Sequence, residues 1–331
     1  MNEIDIVITW VDGNDKKWRC ERNKYLEQEK GIKDKMSVEA RYRDWDNVQY
    51  IFRGIEKFMP WVRMVHFVTW GHLPEWMNTN HPKLHVVTHD NFMPSEYLPT
   101  FNSNAIELNV FRISGLAEHF INFNDDMFVI KPTVPEDFFL NGLPRDMACI
   151  SPQPIFRSSI VNIETNNLEI INDHFTIENI KKNKRKWLNP VLYGQYALRT
   201  AIFMRFSSII GIFVHHIPYS YTKSVIREIW SIEKEILDRT SKHKFRSVED
   251  VNEWLFREWQ LVSGNFIPRS KNFGILVPAG NIEEVRKVLF TSKYKMACIN
   301  DGSSVTDFEK MKKAVNHELQ KLLPEKSMYE L

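Results

Sequence analysis

The sequence predicts an α/β protein with a mainly parallel sheet, helices on both faces of that sheet, and an inserted helical subdomain. Two observations indicate the sheet. Short β-branched runs alternate with helix-period segments along the first part of the chain, and turn residues end these runs. A third observation indicates the subdomain, because residues 151–210 lose the alternation and become helical in pattern. We therefore expect one α/β domain made of residues 1–150 and 211–331, with 151–210 inserted into it.

The first strand and the first amphipathic helix follow from patterns near the N-terminal end. The run "IDIVITWV" at 4–11 predicts a buried strand, which the turn residues "DGND" end. A polar helix is expected next. Apolar residues then recur every three or four positions over 48–59, which predicts an amphipathic helix that Pro60 ends. Asp44 or Asp46 is available to cap its N-terminus.

The same reasoning gives the remaining elements. Strands are expected at 63–70, 84–89 and 120–123, and helices at 104–119, 224–259 and 303–323.

Length and composition exclude several classes of protein. A chain of 331 residues with 43% hydrophobic residues can bury a large core, and it fits one large domain with an embellishment or two smaller domains. Its 44 basic and 42 acidic residues give a net charge of +2, so no overall surface for nucleic acid is implied. Cys20, Cys149 and Cys298 are too widely spaced to indicate a disulfide framework or a structural zinc site.

Targeting signals and apolar runs give an expected location. The N-terminal "MNEIDIVITWVDG" enters a strand without a basic region or a cleavage site, so we expect no secretory signal and a cytoplasmic protein. The longest apolar stretch, 207–217, is too short to span a bilayer. The basic run "KKNKRKW" at 181–187 is most simply a solvated face, and peripheral contact with the inner membrane face stays open as the alternative.

Two adjacent carboxylates interrupt the apolar run "FINFNDDMFVI". Asp125 and Asp126 follow Asn124 where a buried strand ends, which suits either a surface turn or a hard cation such as Mg²⁺. Because adjacent strand residues face opposite sides, either the strand ends at Asn124 or only one carboxylate is a ligand. Asn300 and Asp301 in "CINDG" repeat the pattern, again as either a turn or metal ligands.

Several separated blocks of the chain, taken in order, resemble one family. They are "DIVITWVDGND", the long stretch from "RYRDWDNVQYIFRGIEKFMPWVRMVHFVTWGHLPEWM" through "LPTFNSNAIELNVFRISGLAEHFINFNDDMFV", the pair "HIPYSYTKSVIREI" and "KFRSVEDV", and "CINDG" with "LLPEKSMYE". On these blocks the chain resembles the Stealth family of sugar-1-phosphate transferases. That family includes bacterial capsular polysaccharide phosphotransferases and the catalytic part of GlcNAc-1-phosphotransferase. The sequence departs from the family pattern at Trp70 and His72.

The resemblance implies a Rossmann-like nucleotide-sugar fold and a reaction. A sugar-1-phosphate, with N-acetylhexosamine as the expected sugar, would pass from UDP-GlcNAc or UDP-GalNAc to a hydroxyl of a glycan acceptor, free or lipid-linked. A phosphodiester would form and UMP would leave, in capsule or cell-surface polysaccharide synthesis. Such a step depends on positioning and charge neutralisation, so Mg²⁺ is the expected cofactor and Mn²⁺ the alternative. Residues 151–210 are expected to shape the acceptor side.

The resemblance also gives roles to candidate residues. Asp125, Asp126, Asn300 and Asp301 are the candidate metal ligands. His216 falls on the His-x-Pro element of the family and is the candidate general base, with Asp126 in reserve, although a histidine there also suits a core position.

Phosphate and sugar contacts are expected from a second group. Arginines bind phosphate oxygens in bidentate fashion, although each of them also suits a surface ion pair. The candidates are Arg246 and Arg112 first, then Arg41 and Arg53. Asp12 and Gly13 end the first strand, where α/β sheets bind nucleotides, while Asn102 and Ser103 precede a helix N-terminus that would bind an anion or simply be capped.

Two other functions stay open at this point. A conventional metal-dependent glycosyltransferase would also use a UDP-sugar and an acidic motif after a strand, but it would release UDP. A non-catalytic polyanion-binding module around 181–187 and 242–246 is disfavoured by the near-neutral charge.

Overall fold

The structure is a computed structural model that describes residues 3–28, 42–154, 156–157, 160–302 and 305–331. In chain order its strands are β1 (Ile4–Thr9), β2 (Val65–Thr69), β3 (Leu84–Thr88), β4 (His119–Asn124), β5 (Met127–Val129), β6 (Phe139–Leu140), β7 (Leu143–Asp146), β8 (Tyr219–Thr222), β9 (Ile267–Pro268), β10 (Gly274–Pro278) and β11 (Met296–Asn300). Its α-helices are α1 (Lys16–Gln28), α2 (Val48–Phe58), α3 (Ser103–Asn109), α4 (Ile160–His174), α5 (Ile177–Lys182), α6 (Lys184–Trp187), α7 (Pro190–Tyr193), α8 (Gln195–Phe203), α9 (Lys223–Ile232), α10 (Lys234–Lys242), α11 (Trp254–Val262), α12 (Ile282–Thr291) and α13 (Phe308–Leu322).

The central sheet has five strands in the order β3-β2-β1-β4-β8. The first four strands pair in parallel, and β8 adds an antiparallel edge to β4. Strands β1, β2 and β4 are buried along nearly their whole length, as expected for parallel strands that helices cover on both faces. The predicted α/β class with a mainly parallel sheet is confirmed.

Two small sheets flank the central one. Strand β11 pairs in parallel with β10 and antiparallel with β5, and β7 joins β6 to β9. Strands β4 and β5 are separated only by the turn at Asp125 and Asp126, so the chain leaves one sheet and enters another at this point. Of the two arrangements left open for this turn, the structure has the one in which the strand ends at Asn124.

Helices α4 to α8 lie within the segment that was expected to be a helical insertion. Ile170, Ile171, Ile180 and Trp187 from this segment are buried in the same hydrophobic core as the central sheet. The segment therefore packs on the α/β core. Among the described helices of the whole chain, none combines the length and the apolar character needed to cross a bilayer.

Some predicted helix boundaries were wrong. The helix expected over 104–119 ends as α3 at Asn109 and continues as a 3-10 turn, and Gly115 then adopts a positive φ of 75° that a helix does not permit. The helix expected over 224–259 is three helices. Neither Asp44 nor Asp46 caps α2, because Asn47 occupies the cap position.

Candidate active site

A cavity of about 800 Å³ opens where the carboxyl ends of β1, β4 and β11 meet. Residues directly after or at the end of these strands line it, namely Trp10, Asn124, Asp125, Asp126, Asn300 and Asp301. A second cavity of about 140 Å³ shares several lining residues with it, including Asp125 and Arg246. Ligands of open α/β sheets bind outside the carboxyl ends of the strands, so this is the position expected for a substrate site.

The acidic turn and the end of β11 face each other across this cavity. Asp126 Oδ2 accepts hydrogen bonds from Asn300 Nδ2 at 3.1 Å and from Cys298 Sγ at 3.2 Å. Asp301 Oδ2 accepts one from Trp45 Nε1 at 3.2 Å. The second carboxylate oxygen of each aspartate, Oδ1, is buried and has no hydrogen-bond partner among the described residues. Buried polar atoms are normally satisfied, so these two oxygens indicate a group that would bind them.

These residues fit a divalent cation. Two carboxylate oxygens without partners and an amide at the rim of one cavity are hard oxygen donors, which suit Mg²⁺ or Mn²⁺. One ligand atom each from Asp126, His216 and Cys298 also lies within 4.8 Å of the others. That set includes softer ligand atoms, nitrogen and sulfur. The Cys298 thiol, however, already donates a hydrogen bond to the Asp126 carboxylate. We therefore favour the oxygen ligands.

Burial and crowding of carboxylates shift several pKa values here. Burial raises the pKa of Asp125 to about 7, and the neighbouring carboxylates of Asp126 and Asp44 add to the shift. Burial, together with the nearby carboxylates of Asp126 and Asp125, raises the pKa of the Cys298 thiol well above its ordinary value. Burial and mutual repulsion thus disfavour full ionisation of this cluster, and a bound cation would offset both effects.

His216 lies on the same cavity, between the acidic turn and α11. Its Nε2 is 3.9 Å from Asp126 Oδ2, and its ring contacts the Trp254 ring edge-on at 5.8 Å between centroids. The backbone of His216 has a positive φ of 48°, which is uncommon outside glycine. The backbone N–H groups of His215 and His216 both donate to the Tyr219 hydroxyl at 2.9 Å, and these bonds hold the turn.

Arg246 and Arg43 place positive charge in the lining of the larger cavity. The Arg246 guanidinium lines both cavities and donates a hydrogen bond to the Ser103 hydroxyl at the start of α3. Arg43 lies 3.9 Å from Asp301 and lines the larger cavity. The sequence pointed to Arg41 instead, which lies outside the described residues.

Two of the arginines that the sequence predicted as phosphate contacts, Arg53 and Arg112, line neither of these two cavities. Arg53 donates two hydrogen bonds to Glu330, at 2.9 and 2.7 Å, and one to the Leu323 carbonyl. Arg112 bonds to Asn109 and lies over the ring of Trp230. Both guanidinium groups therefore make structural contacts.

Asp12, Gly13 and Asn102 shape the loops behind the cavity. The Asp12 N–H donates to His72 Nε2 at 2.8 Å. A Cβ at Gly13 would overlap the carbonyl oxygen of Tyr42, so only glycine fits there without movement. Asn102 is buried and caps α3 by accepting from the Asn104 N–H, so of the expected phosphate-binding pair Ser103 alone lines a cavity.

Two buried glutamates in the larger cavity escaped prediction. Burial and the neighbouring Glu253 raise the pKa of Glu107 well above its usual value, and burial also raises the pKa of Glu253. Two buried carboxyls next to each other disfavour a second negative charge, so the pair favours keeping a proton. Glu107 interrupts the apolar face of α3 between Ala105 and Leu108, and that interruption was the signal available in the sequence.

The opposite end of the cavity is formed by the helical segment and its flanks. Ser151, Gln153, Glu164 and Arg199 line it, and Arg199 donates a hydrogen bond to the Ser151 hydroxyl at 3.1 Å. The cavity therefore runs from the strand ends to helices α4 and α8.

The comparisons with known proteins point to one family. Conserved regions 1, 2 and 3 of the Stealth proteins match residues 2–30, 41–146 and 215–255. The chain is 41% identical to capsular polysaccharide phosphotransferase WcwK of Streptococcus pneumoniae, over 100% of this chain and 98% of that protein. It is 37% identical to receptor polysaccharide phosphotransferase WefC of Streptococcus oralis, over 100% of both chains.

The chain is also similar to a less identical curated relative and to one solved structure. Exopolysaccharide phosphotransferase cps2G of Lactiplantibacillus plantarum is 34% identical over 99% of this chain and 96% of that protein. The galactosyltransferase LgtC, solved with donor and acceptor sugar analogues, covers 95% of each chain at a TM-score of 0.38 and 8% identity. That structural likeness is too low to carry an argument.

Proposed function

Because this chain belongs to the Stealth family and is a phosphotransferase, we propose that it transfers a sugar-1-phosphate from a UDP-sugar to a hydroxyl of a glycan. N-acetylhexosamine is the proposed sugar, as in UDP-GlcNAc or UDP-GalNAc. The reaction forms a phosphodiester and releases UMP during capsule or cell-surface polysaccharide synthesis. The observation that carries this proposal is the meeting of a histidine, an arginine and an unsatisfied acidic turn around one cavity.

In the proposed reaction, the acceptor oxygen attacks the phosphorus next to the sugar. The new O–P bond forms as the bond from phosphorus to the UMP oxygen breaks, and UMP leaves with that electron pair. His216 takes the proton of the acceptor hydroxyl at Nε2, and Asp126 lies close enough to stabilise the resulting imidazolium. Because sugar and phosphate move together, the anomeric carbon keeps its configuration.

Charge around the transferring phosphate is balanced by the lining of the cavity. Arg246, fixed by its bond to Ser103, is placed to donate to the phosphate oxygens. Asp126, Asp301, Asn300 and Asp125 are the proposed ligands of Mg²⁺ or Mn²⁺. When bound, that cation would supply positive charge for the pyrophosphate and for the departing UMP.

The helical end of the cavity is the proposed acceptor side. Gln153, Glu164 and Arg199 offer an amide, a carboxyl and a guanidinium group, which are suitable partners for sugar hydroxyls. Because these residues come from the helical segment and its flanks, whereas the acidic turn follows β4, the proposed arrangement has the donor at the strand ends and the acceptor at the helical segment.

Analysis of released nucleotides tests the proposal. Wild-type protein is incubated with a panel of UDP-sugars, Mg²⁺ and a short glycan acceptor, beside Asp126→Asn and the surface control Asp173→Asn. We expect UMP from one donor and a phosphodiester product, with both lost in Asp126→Asn and retained in the control. Release of UDP would instead show glycosyl transfer, and release of no nucleotide from any UDP-sugar would reject the donor class.

A further inference from the structure

The segment that carries helices α5 to α8 has an unusual balance of charge. Between residues 181 and 206 there are seven lysines and arginines and no aspartate or glutamate, in a chain whose net charge is only +2. Lys182, Lys184 and Arg185 on α5 and α6 are exposed, and so is Arg205 just after α8. A solvated face of an ordinary protein normally mixes both signs, so this concentration of positive charge indicates an anionic partner.

The same segment exposes large apolar side chains. Val191 is 90% exposed, Leu198 67%, Ile202 53% and Phe206 50%. Leu198 and Ile202 are four residues apart on α8, so they lie on one face of that helix, and Phe206 follows at the same spacing. Single exposed apolar residues are common, but four within one basic segment are a pattern typical of surfaces that enter the interfacial region of a bilayer.

We propose that residues 181–206 form a membrane-binding surface that attaches the protein to a bilayer rich in anionic phospholipid. The exposed lysines and arginines of α5 and α6 contact the headgroups, and Leu198, Ile202, Phe206 and Val191 enter the boundary between headgroups and acyl chains. Basic charge and apolar side chains act together here, since neither signal alone gives stable attachment.

The position of α8 links this surface to the cavity. Arg199 lines the cavity, while the neighbouring Leu198 and Ile202 are exposed on the outside of the same helix. The helix therefore separates the proposed acceptor side from the proposed bilayer. A glycan held on a lipid would reach the cavity from this side. The membrane surface does not depend on the proposed reaction, and vesicle binding tests it without any activity measurement.

Sedimentation with vesicles is the test. The full chain is mixed with vesicles of phosphatidylcholine alone, or with about one third phosphatidylglycerol added. The charge variant combines Lys182→Gln, Lys184→Gln and Arg185→Gln, and its control removes equal charge elsewhere with Lys287→Gln, Lys310→Gln and Lys313→Gln. The apolar variant combines Leu198→Gln with Ile202→Gln, and its control combines Val134→Gln with Phe290→Gln.

We expect wild-type protein to sediment with the anionic vesicles and not with the neutral ones. The charge variant should lose roughly 150-fold in apparent partition coefficient, at about fivefold per removed charge. The apolar variant should also bind more weakly, and both controls should bind as the wild type does.

Three results would overturn the proposal. The first is equal binding of the wild type to both vesicle types, and the second is an equal loss in the charge variant and its control. The third is a concentration-dependent dimer that the apolar variant abolishes while vesicle binding is unchanged, because the face would then contact a second copy of the chain.

Discussion

Removing the Tyr219 hydroxyl tests whether the turn at His216 matters for catalysis. In Tyr219→Phe, the backbone N–H groups of His215 and His216 lose their shared acceptor, to which both bond at 2.9 Å. Each hydrogen bond of this kind contributes about 1 kcal/mol, and a donor left buried and unsatisfied costs about 1–3 kcal/mol. We therefore expect the free energy of unfolding to fall by about 2–4 kcal/mol.

The same substitution should also lower the activity. His216 holds a positive φ of 48°, and such backbone conformations persist only where the surroundings enforce them. Without the hydroxyl the turn should relax and move the imidazole. A displacement of about 1 Å costs on the order of 100-fold in rate, so kcat should fall by about that factor at a donor KM close to that of the wild type.

Urea denaturation and steady-state UMP release are the two measurements. The matched control is Tyr97→Phe, which removes a buried hydroxyl that bonds Asp238 at 2.8 Å and lies outside both cavities. It should lower stability without lowering kcat. If Tyr219→Phe keeps the wild-type kcat while losing the expected stability, then the turn does not position a catalytic histidine.

Three further changes have defined outcomes. Asp301→Asn removes a buried unpartnered carboxylate oxygen, so the Mg²⁺ concentration for half-maximal activity should rise more than about 10-fold, and an unchanged titration would reject Asp301 as a ligand. Arg53→Met breaks the largely buried ion pair with Glu330. The free energy of unfolding, measured by urea denaturation, should fall by about 3 kcal/mol while the donor KM stays unchanged. A raised donor KM would show that Arg53 contacts the substrate. Burial raises the pKa of Glu258 to about 8, above its ordinary value of 4.5. Between these two pH values the folded state therefore binds one proton more than the unfolded state. The free energy of unfolding should fall as pH rises through this window, by at most about 1.4 kcal/mol per pH unit. Glu258→Gln should remove this slope in denaturation curves taken from pH 5 to 9, and an identical slope in both proteins would show that other groups cause it.

The strand ends were the most predictable part of the site. At Asp125 and Asp126, and again at Asn300 and Asp301, polar residues interrupt apolar runs, and the carboxyl end of a buried strand is where such residues serve a ligand. The signal is local in sequence, so it needs no knowledge of the packing. The switch from β4 to β5 could not be predicted, because a strand of three residues has no usable periodicity.

Residues that act through distant partners were the least predictable. The local sequence predicted a phosphate contact for both Arg53 and Arg246. In the structure Arg53 forms an ion pair with Glu330, whereas Arg246 lines the cavity. Glu107 and Glu253 come together only after α3 and the segment before α11 have packed. Charge pairing over such separations depends on tertiary structure, which local patterns do not contain.

The bond between Trp45 and Asp301 joins positions 256 apart in sequence and closes one wall of the cavity. A chain still emerging from the ribosome lacks this wall until residue 301 has been released, and contacts between such distant positions form late in folding. Incomplete chains would therefore lack the complete cavity that the proposed transfer requires. Synthesis of the protein and the onset of its activity are thus separated in time by the order in which its residues are made.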